Sequence, residues 1–98
     1  MVDHLVLFQA KPGKEAELGK VLADFAGEIK AALPGIVELN TGENYTKRSR
    51  DQGWTHALYA RFKDRSVGEA YGPHPIHQKL LGTLADLSNA GLPVDFEI

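Results

Sequence analysis

The sequence predicts an α+β domain in which one antiparallel sheet carries its helices on a single face. Three observations predict it. Short β-branched and aromatic runs alternate with longer stretches of helical period, in the order β-α-β-β-α-β. Gly and Pro punctuate the boundaries between them. The 98 residues, 43% of them hydrophobic, supply one core and leave no room for a second, so residues 1–98 are read as one domain.

Val2 to Gln9 is the first strand, stopped by the turn Lys11-Pro12-Gly13. Val2, His4, Val6 and Phe8 share one face, Leu5 and Leu7 the other, so both faces expect cover. From Lys14 to Leu33 the period changes. Leu18, Val21, Leu22, Phe25, Ile29 and Leu33 recur at helical spacing while charges occupy the other faces. Pro34-Gly35 ends the helix, because the residue before a proline is pushed out of the α region and glycine tolerates a left-handed cap. Ile36 to Asn40 reads as a second strand. Thr41 to Gly53 reads as a polar surface loop carrying Lys47, Arg48 and Arg50, balanced by Glu43 and Asp51.

Alternation resumes from Trp54 to Lys63, with Trp54, His56, Leu58, Ala60 and Phe62 on one face and Thr55, Ala57, Tyr59 and Arg61 on the other. A short helix is expected over Ser66 to Tyr71. After the Pro-His-Pro interruption another runs from Ile76 to Leu87 on Leu80, Leu81, Leu84 and Leu87. Pro93 to Ile98 closes the chain as a strand, with Val94, Phe96 and Ile98 opposite Asp95. The order is that of the split βαβ, or ferredoxin-like, arrangement.

Such a sheet has one face without helices. Here that face shows Leu5, Leu7, Ala57, Tyr59, Val94 and Phe96. Removing apolar area from water stabilises by roughly 25 cal/mol per Å², and monomers seldom expose a large apolar patch. A two-fold homodimer through the sheet faces is therefore expected. The alternative is that the Thr41–Gly53 loop covers the face, against which its polarity counts.

Strand parity then sorts the four histidines. If Leu5, Leu7, Val94 and Phe96 face a partner, His4, His56 and Asp95 face the helices of their own subunit. Tyr71, His74 and His77 start the last helical region over that face. One pocket between sheet and helices is expected to gather His4, His56, Tyr71, His77 and Asp95. His77 is expected to move the proton with Asp95 orienting it, since a carboxylate beside an imidazole fixes its tautomer and raises its pKa, which suits a general base. A phenol nearby donates to a carbonyl or enolate oxygen. Taken singly, His4 and His56 read more readily as hydrogen-bonded core histidines than as catalytic groups, and His74, between two prolines, as a residue shaping the helix start. Trp54, at the start of its strand, is expected to anchor the dimer or the pocket edge.

His4-Leu5-Val6-Leu7-Phe8, Leu33-Pro34-Gly35-Ile36, Gly53-Trp54-Thr55-His56-Ala57, Phe62-Lys63-Asp64, Ala70-Tyr71 with His74-Pro75-Ile76-His77, and the closing Val94-Asp95-Phe96 follow one another in order. Over essentially its whole length the chain resembles the stress-responsive dimeric α/β-barrel (Dabb) domain family, to which plant polyketide (olivetolic acid-type) cyclases are related. The resemblance implies a homodimeric ferredoxin-like α+β barrel. It also implies cofactor-free acid–base chemistry, of cyclase, aldol or lyase type, on a small apolar or carbonyl-containing ligand. The cyclase's catalytic pair matches Tyr71 and His77, with His4, His56 and Asp95 lining or supporting the pocket. Bulky aromatics of the cyclase's helix fall at about Ala23 and Ala26 here, so its substrate does not carry over.

The remaining signals exclude classes. A net charge of −2 gives no electrostatic case for nucleic acid or an anionic membrane. With no cysteine there is no disulfide framework, thiolate metal site or thiol nucleophile. HExxH, GxGxxG and GxxxxGK[ST] are absent, so neither a metal nor a nucleotide cofactor is expected. The start lacks a basic signal region, and no apolar run approaches the roughly 18 residues of a membrane span, which makes a cytoplasmic protein the expectation. Two functional readings stay open: a small cofactor-free enzyme, or a non-enzymatic stress-associated or ligand-binding homodimer.

Overall fold

The computed structural model describes residues 1–46 and 52–98. The basic group Lys47, Arg48 and Arg50, and Asp51 with it, lie outside the described residues. The elements are β1 (Val2–Ala10), α1 (Glu15–Ala32), β2 (Ile36–Glu43), β3 (His56–Phe62), α2 (Arg65–Tyr71), α3 (Pro75–Leu87) and β4 (Ser88–Glu97). The four strands form one antiparallel sheet in the order β2-β3-β1-β4. The ferredoxin-like β-α-β-β-α-β plan is thus present, its second helical segment divided into α2 and α3.

Local chemistry explains the boundaries. The last turn of α1 closes with Leu33 N–H donating to the Ile29 carbonyl at 2.9 Å. Pro34 then blocks continuation. Gly35 sits at φ +97°, where a Cβ would also lie 2.5 Å from Val67 Cγ2, so the turn and the seat of α2 both require glycine. Asp64 caps α2, accepting from the backbone N–H groups of Ser66 and Val67. Pro75 opens α3 at the first helical position, and His74 Nδ1 accepts from Ile76 N–H at 3.1 Å. His74 therefore shapes the helix start.

Two strands are longer than their sequence signal. β2 runs on through Thr41, Gly42 and Glu43, which pair with Leu58, Ala57 and His56. β4 begins at Ser88, not Pro93, because Ala90, Gly91 and Leu92 pair with Gln9, Phe8 and Leu7. Tertiary pairing overrides the low strand propensity of Asn, Gly and Pro. Pro93 is tolerated because β4 is an edge strand. In the other direction, β3 starts at His56, two residues after Trp54.

Val2 and Phe8 of β1, Leu39 of β2, and Leu58, Ala60 and Phe62 of β3 pack against Leu18, Leu22, Phe25 and Ile29 of α1. Val67, Tyr71, Leu80 and Leu87 of the other two helices complete this core. The opposite sheet face has no cover among the described residues over β4: Leu92, Val94 and Phe96 are about half exposed. The Asn44–Thr46 end of the loop and Trp54 reach only the Leu7 and Ala57 corner.

That outer face also holds a polar group the sequence pattern did not flag. Asp3 pairs across the strands with Arg61, and its carboxylate accepts from Arg61 Nε at 2.7 Å, Nη2 at 2.9 Å and the Tyr59 hydroxyl at 3.2 Å. Asp3 is only 5% exposed. The Arg61 guanidinium holds the Asp3 carboxyl below the usual carboxylate range, while burial and the bond to Asp3 push the Tyr59 phenol up.

Candidate active site

Antiparallel pairing of β1 with β4 sets His4 opposite Asp95, and with β3 opposite Ala60. Cross-strand partners point to the same side, here the helix side. Tyr71 descends from the end of α2 onto this patch, and His77 from the first turn of α3. They meet at a cavity of about 410 Å³, which His4, Phe62, Tyr71, His77 and Asp95 line, with Arg65 and Glu97 among its rim residues. The rings form a cluster: Tyr71 and His77 have centroids 4.7 Å apart, His4 and Tyr71 5.3 Å, Phe62 and Tyr71 5.0 Å. Phe25 closes on His77 at 5.9 Å.

Hydrogen bonding fixes what each ring offers. His77 Nδ1 lies 2.9 Å from the Gly72 carbonyl oxygen. A carbonyl only accepts, so Nδ1 carries the hydrogen and neutral His77 keeps its lone pair on Nε2. Gln78 Nε2 donates to the same oxygen at 2.8 Å, holding the acceptor in place. Burial lowers the His77 pKa, the Gly72 bond opposes this, and the charge of His4 adds to the lowering. The imidazole is therefore kept in its proton-accepting form.

Tyr71 is 4% exposed, yet its hydroxyl makes no hydrogen bond among the described residues. No buried side-chain nitrogen or oxygen there lacks a partner, so the hydroxyl is one that the cavity reaches. Burial, aided by the negative charge of Asp95, pushes its pKa up, so the phenol stays protonated and donates. His4 Nδ1 lies 2.5 Å from Asp95 Oδ1. The carboxylate accepts, which leaves His4 Nε2 for other contacts. Arg65 and Glu97 pair across the rim at 2.6 Å.

The expected gathering holds for His4, Tyr71, His77 and Asp95, with one change of partner. Asp95 holds His4, whereas the backbone of Gly72 orients His77. His56 does not join them. It pairs with Phe8, four residues along β1 from His4, or about 13 Å at about 3.3 Å per residue. Parity gives the face of a strand residue but not its place along the strand. His56 instead lines cavities at the other end, as Trp54 does on the outer face. Gly72, Phe25 and Phe62 were not foreseen as site residues. The first two show themselves only through α2–α3 geometry, while Phe62 shared the face of His56 and was legible by parity.

Among the described residues no helix is long and apolar enough to cross a membrane. The stress responsive A/B barrel domain profile matches residues 2–98. No curated protein matches the chain in sequence. Among solved structures, a dimeric ferredoxin-like protein of unknown function from Jannaschia sp. CCS1 is 24% identical with a TM-score of 0.85, over 99% of this chain and 98% of that one. A putative antibiotic biosynthesis monooxygenase from Deinococcus radiodurans is 14% identical with a TM-score of 0.86, over 100% and 92%. A hydroxynitrile lyase from Passiflora edulis is 19% identical with a TM-score of 0.81, over 99% and 92%. At such identities the likeness is one of fold.

Proposed function

Because the chain belongs to the stress responsive A/B barrel domain family, we propose that it is a homodimeric enzyme performing cofactor-free acid–base chemistry on a small carbonyl compound. The observation that carries this reading is the pairing of a neutral imidazole with a protonated phenol 4.7 Å away, ring to ring, in a largely apolar cavity, with neither His77 Nε2 nor the Tyr71 hydroxyl bonded among the described residues. His77 Nε2 takes a proton from the carbon next to the carbonyl. The C–H electron pair becomes the enolate, and the Tyr71 hydroxyl donates to the oxygen as charge gathers there. Return of the proton from His77 to the carbon completes exchange or epimerisation; in an aldol-type closure the enolate carbon instead attacks a second carbonyl carbon, and the proton on His77 passes to the alkoxide formed there. Asp95 holds His4 as the second polar wall.

Phe62 and Val2 give the cavity an apolar lining that suits an aryl or alkyl body. The Passiflora relative is a lyase of hydroxynitriles, which fits small-molecule chemistry in this fold. The dimer reading rests on the uncovered face of β4 and on the dimeric Jannaschia relative.

The test is deuterium uptake at the α-carbon of phenylacetone in D₂O, followed by ¹H NMR. The protein should exceed buffer, His77→Ala should lose about 10²-fold or more, and Tyr71→Phe roughly 10²-fold. Equal rates for the protein and His77→Ala would remove His77 from the chemistry.

A further inference from the structure

The cavity of His77 is longer than the chemistry above uses, and its walls run in register. Val2 lies opposite Phe62 on one side and Glu97 on the other, two residues along from the row of Ala60, His4 and Asp95. Two residues of strand span about 6.6 Å. The floor therefore has two rows: a polar inner one with His4 and Asp95, and an outer one with Phe62, Val2 and Glu97. On α2 above it, Tyr71, Gly68 and Arg65 recur every three residues along one side, and all three line the cavity. Tyr71 and Arg65 are thus about 9 Å apart along the helix axis.

Chemistry changes along that length. Tyr71 and His77 stand over the inner row. In the middle the α2 wall is bare. A Cβ at Gly68 would lie 3.4 Å from the Phe62 ring, an ordinary contact, and alanine would favour the helix, so neither packing nor conformation calls for glycine there. What the missing side chain leaves is room beside Phe62 and Val2. At the outer end Arg65 Nε and Nη2 both contact Glu97 Oε1, at 2.7 and 2.6 Å. Glu97 Oε2 and Arg65 Nη1 make no hydrogen bond among the described residues. That end thus offers an acceptor and a donor side by side, and Glu69 adds a second carboxylate at the rim.

We propose that the ligand of this cavity is an aryl ketone with a hydroxyl at the far end of its ring. The inference rests on the reading of the cavity as the reaction site, with the carbonyl held at Tyr71 and His77. The ring then lies over Val2 and Phe62 beside Gly68, and its far substituent reaches the Arg65–Glu97 pair. A hydroxyl serves both members of that pair, donating to the Glu97 carboxylate and accepting from Arg65. A carboxylate in its place would meet the charges of Glu97 and Glu69. An ammonium has no lone pair for Arg65. A bare ring leaves the pair to water.

The experiment titrates the full chain, labelled with ¹⁵N at histidine, with 4-hydroxyphenylacetone, phenylacetone and the 4-carboxylate and 4-aminomethyl analogues of phenylacetone, following the His4 ring resonances. It is run on the natural chain and on His77→Ala, which lacks the proton acceptor. In both, the hydroxyl compound should bind about tenfold tighter than phenylacetone, the gain a hydrogen bond to a charged group supplies, and tighter than either charged analogue. The double variant Arg65→Ala/Glu97→Ala changes only exposed side chains and so spares the fold. There the preference should vanish while phenylacetone binding holds. Equal binding of the hydroxyl compound and phenylacetone, tighter binding of a charged analogue, a preference that survives the double variant, or no saturable response to any of the four would each overturn the assignment. A preserved preference in a chain that takes up no deuterium would remove the acid–base reading alone.

Discussion

Gly72 decides what His77 is able to do. Its carbonyl oxygen, shared with Gln78, forces the hydrogen of the neutral ring onto Nδ1. Burial lowers the His77 pKa from its ordinary 6.5. Below 6.5 the unfolded chain therefore binds more protons than the folded one. The stability that neutral His77 contributes is present above that value and is lost as pH falls through the lowered one. The thermal midpoint should accordingly fall more between about pH 7 and pH 5 for the natural protein than for His77→Gln, which keeps a donor for Gly72 without titrating. Equal falls would contradict the lowering. The pair Tyr71 and His77 was legible in the sequence because their spacing put both at the helix ends over one sheet face. The partner of Asp95 was not, since a hydrogen bond between β1 and β4 depends on register, and alternation in a single strand carries no register.

At the scale of elements, α1 was the most legible: its apolar stripe and the Pro34-Gly35 stop coincide with the observed Glu15–Ala32. Leu22, fully buried in that stripe, should cost about 2–5 kcal/mol when changed to Ala, read by denaturant unfolding. Gly35→Ala should cost more than about 1 kcal/mol, because φ +97° disfavours any side chain and Val67 already occupies the Cβ position. A neutral result there would show that the turn relaxes freely. The full lengths of β2 and β4 were illegible for one reason. Thr41-Gly42-Glu43 and Asn89-Ala90-Gly91 have weak strand propensity, and they are extended only because β3 and β1 offer them backbone partners.

For the whole molecule, parity carried furthest. It assigned Leu5, Leu7, Val94 and Phe96 to the face without helices, where Val94 and Phe96 are indeed half exposed. It could not foresee that Asp3, Arg61 and Tyr59 set a hydrogen-bonded polar group into that face, because a lone Asp in an apolar run says nothing of its cross-strand partner. Light scattering at micromolar concentration should give twice the chain mass, and Phe96→Asp should halve it by placing a charge on the apolar face. A natural chain that is monomeric under those conditions would contradict the homodimer.

The proton-accepting role of His77 is tested most directly by the pH dependence of α-deuterium exchange in phenylacetone. The rate should rise with pH along one limb whose midpoint lies below 6.5, hold level through neutrality, and lose that limb in His77→Ala. A midpoint above 6.5, or a profile that His77→Ala leaves unchanged, would contradict it.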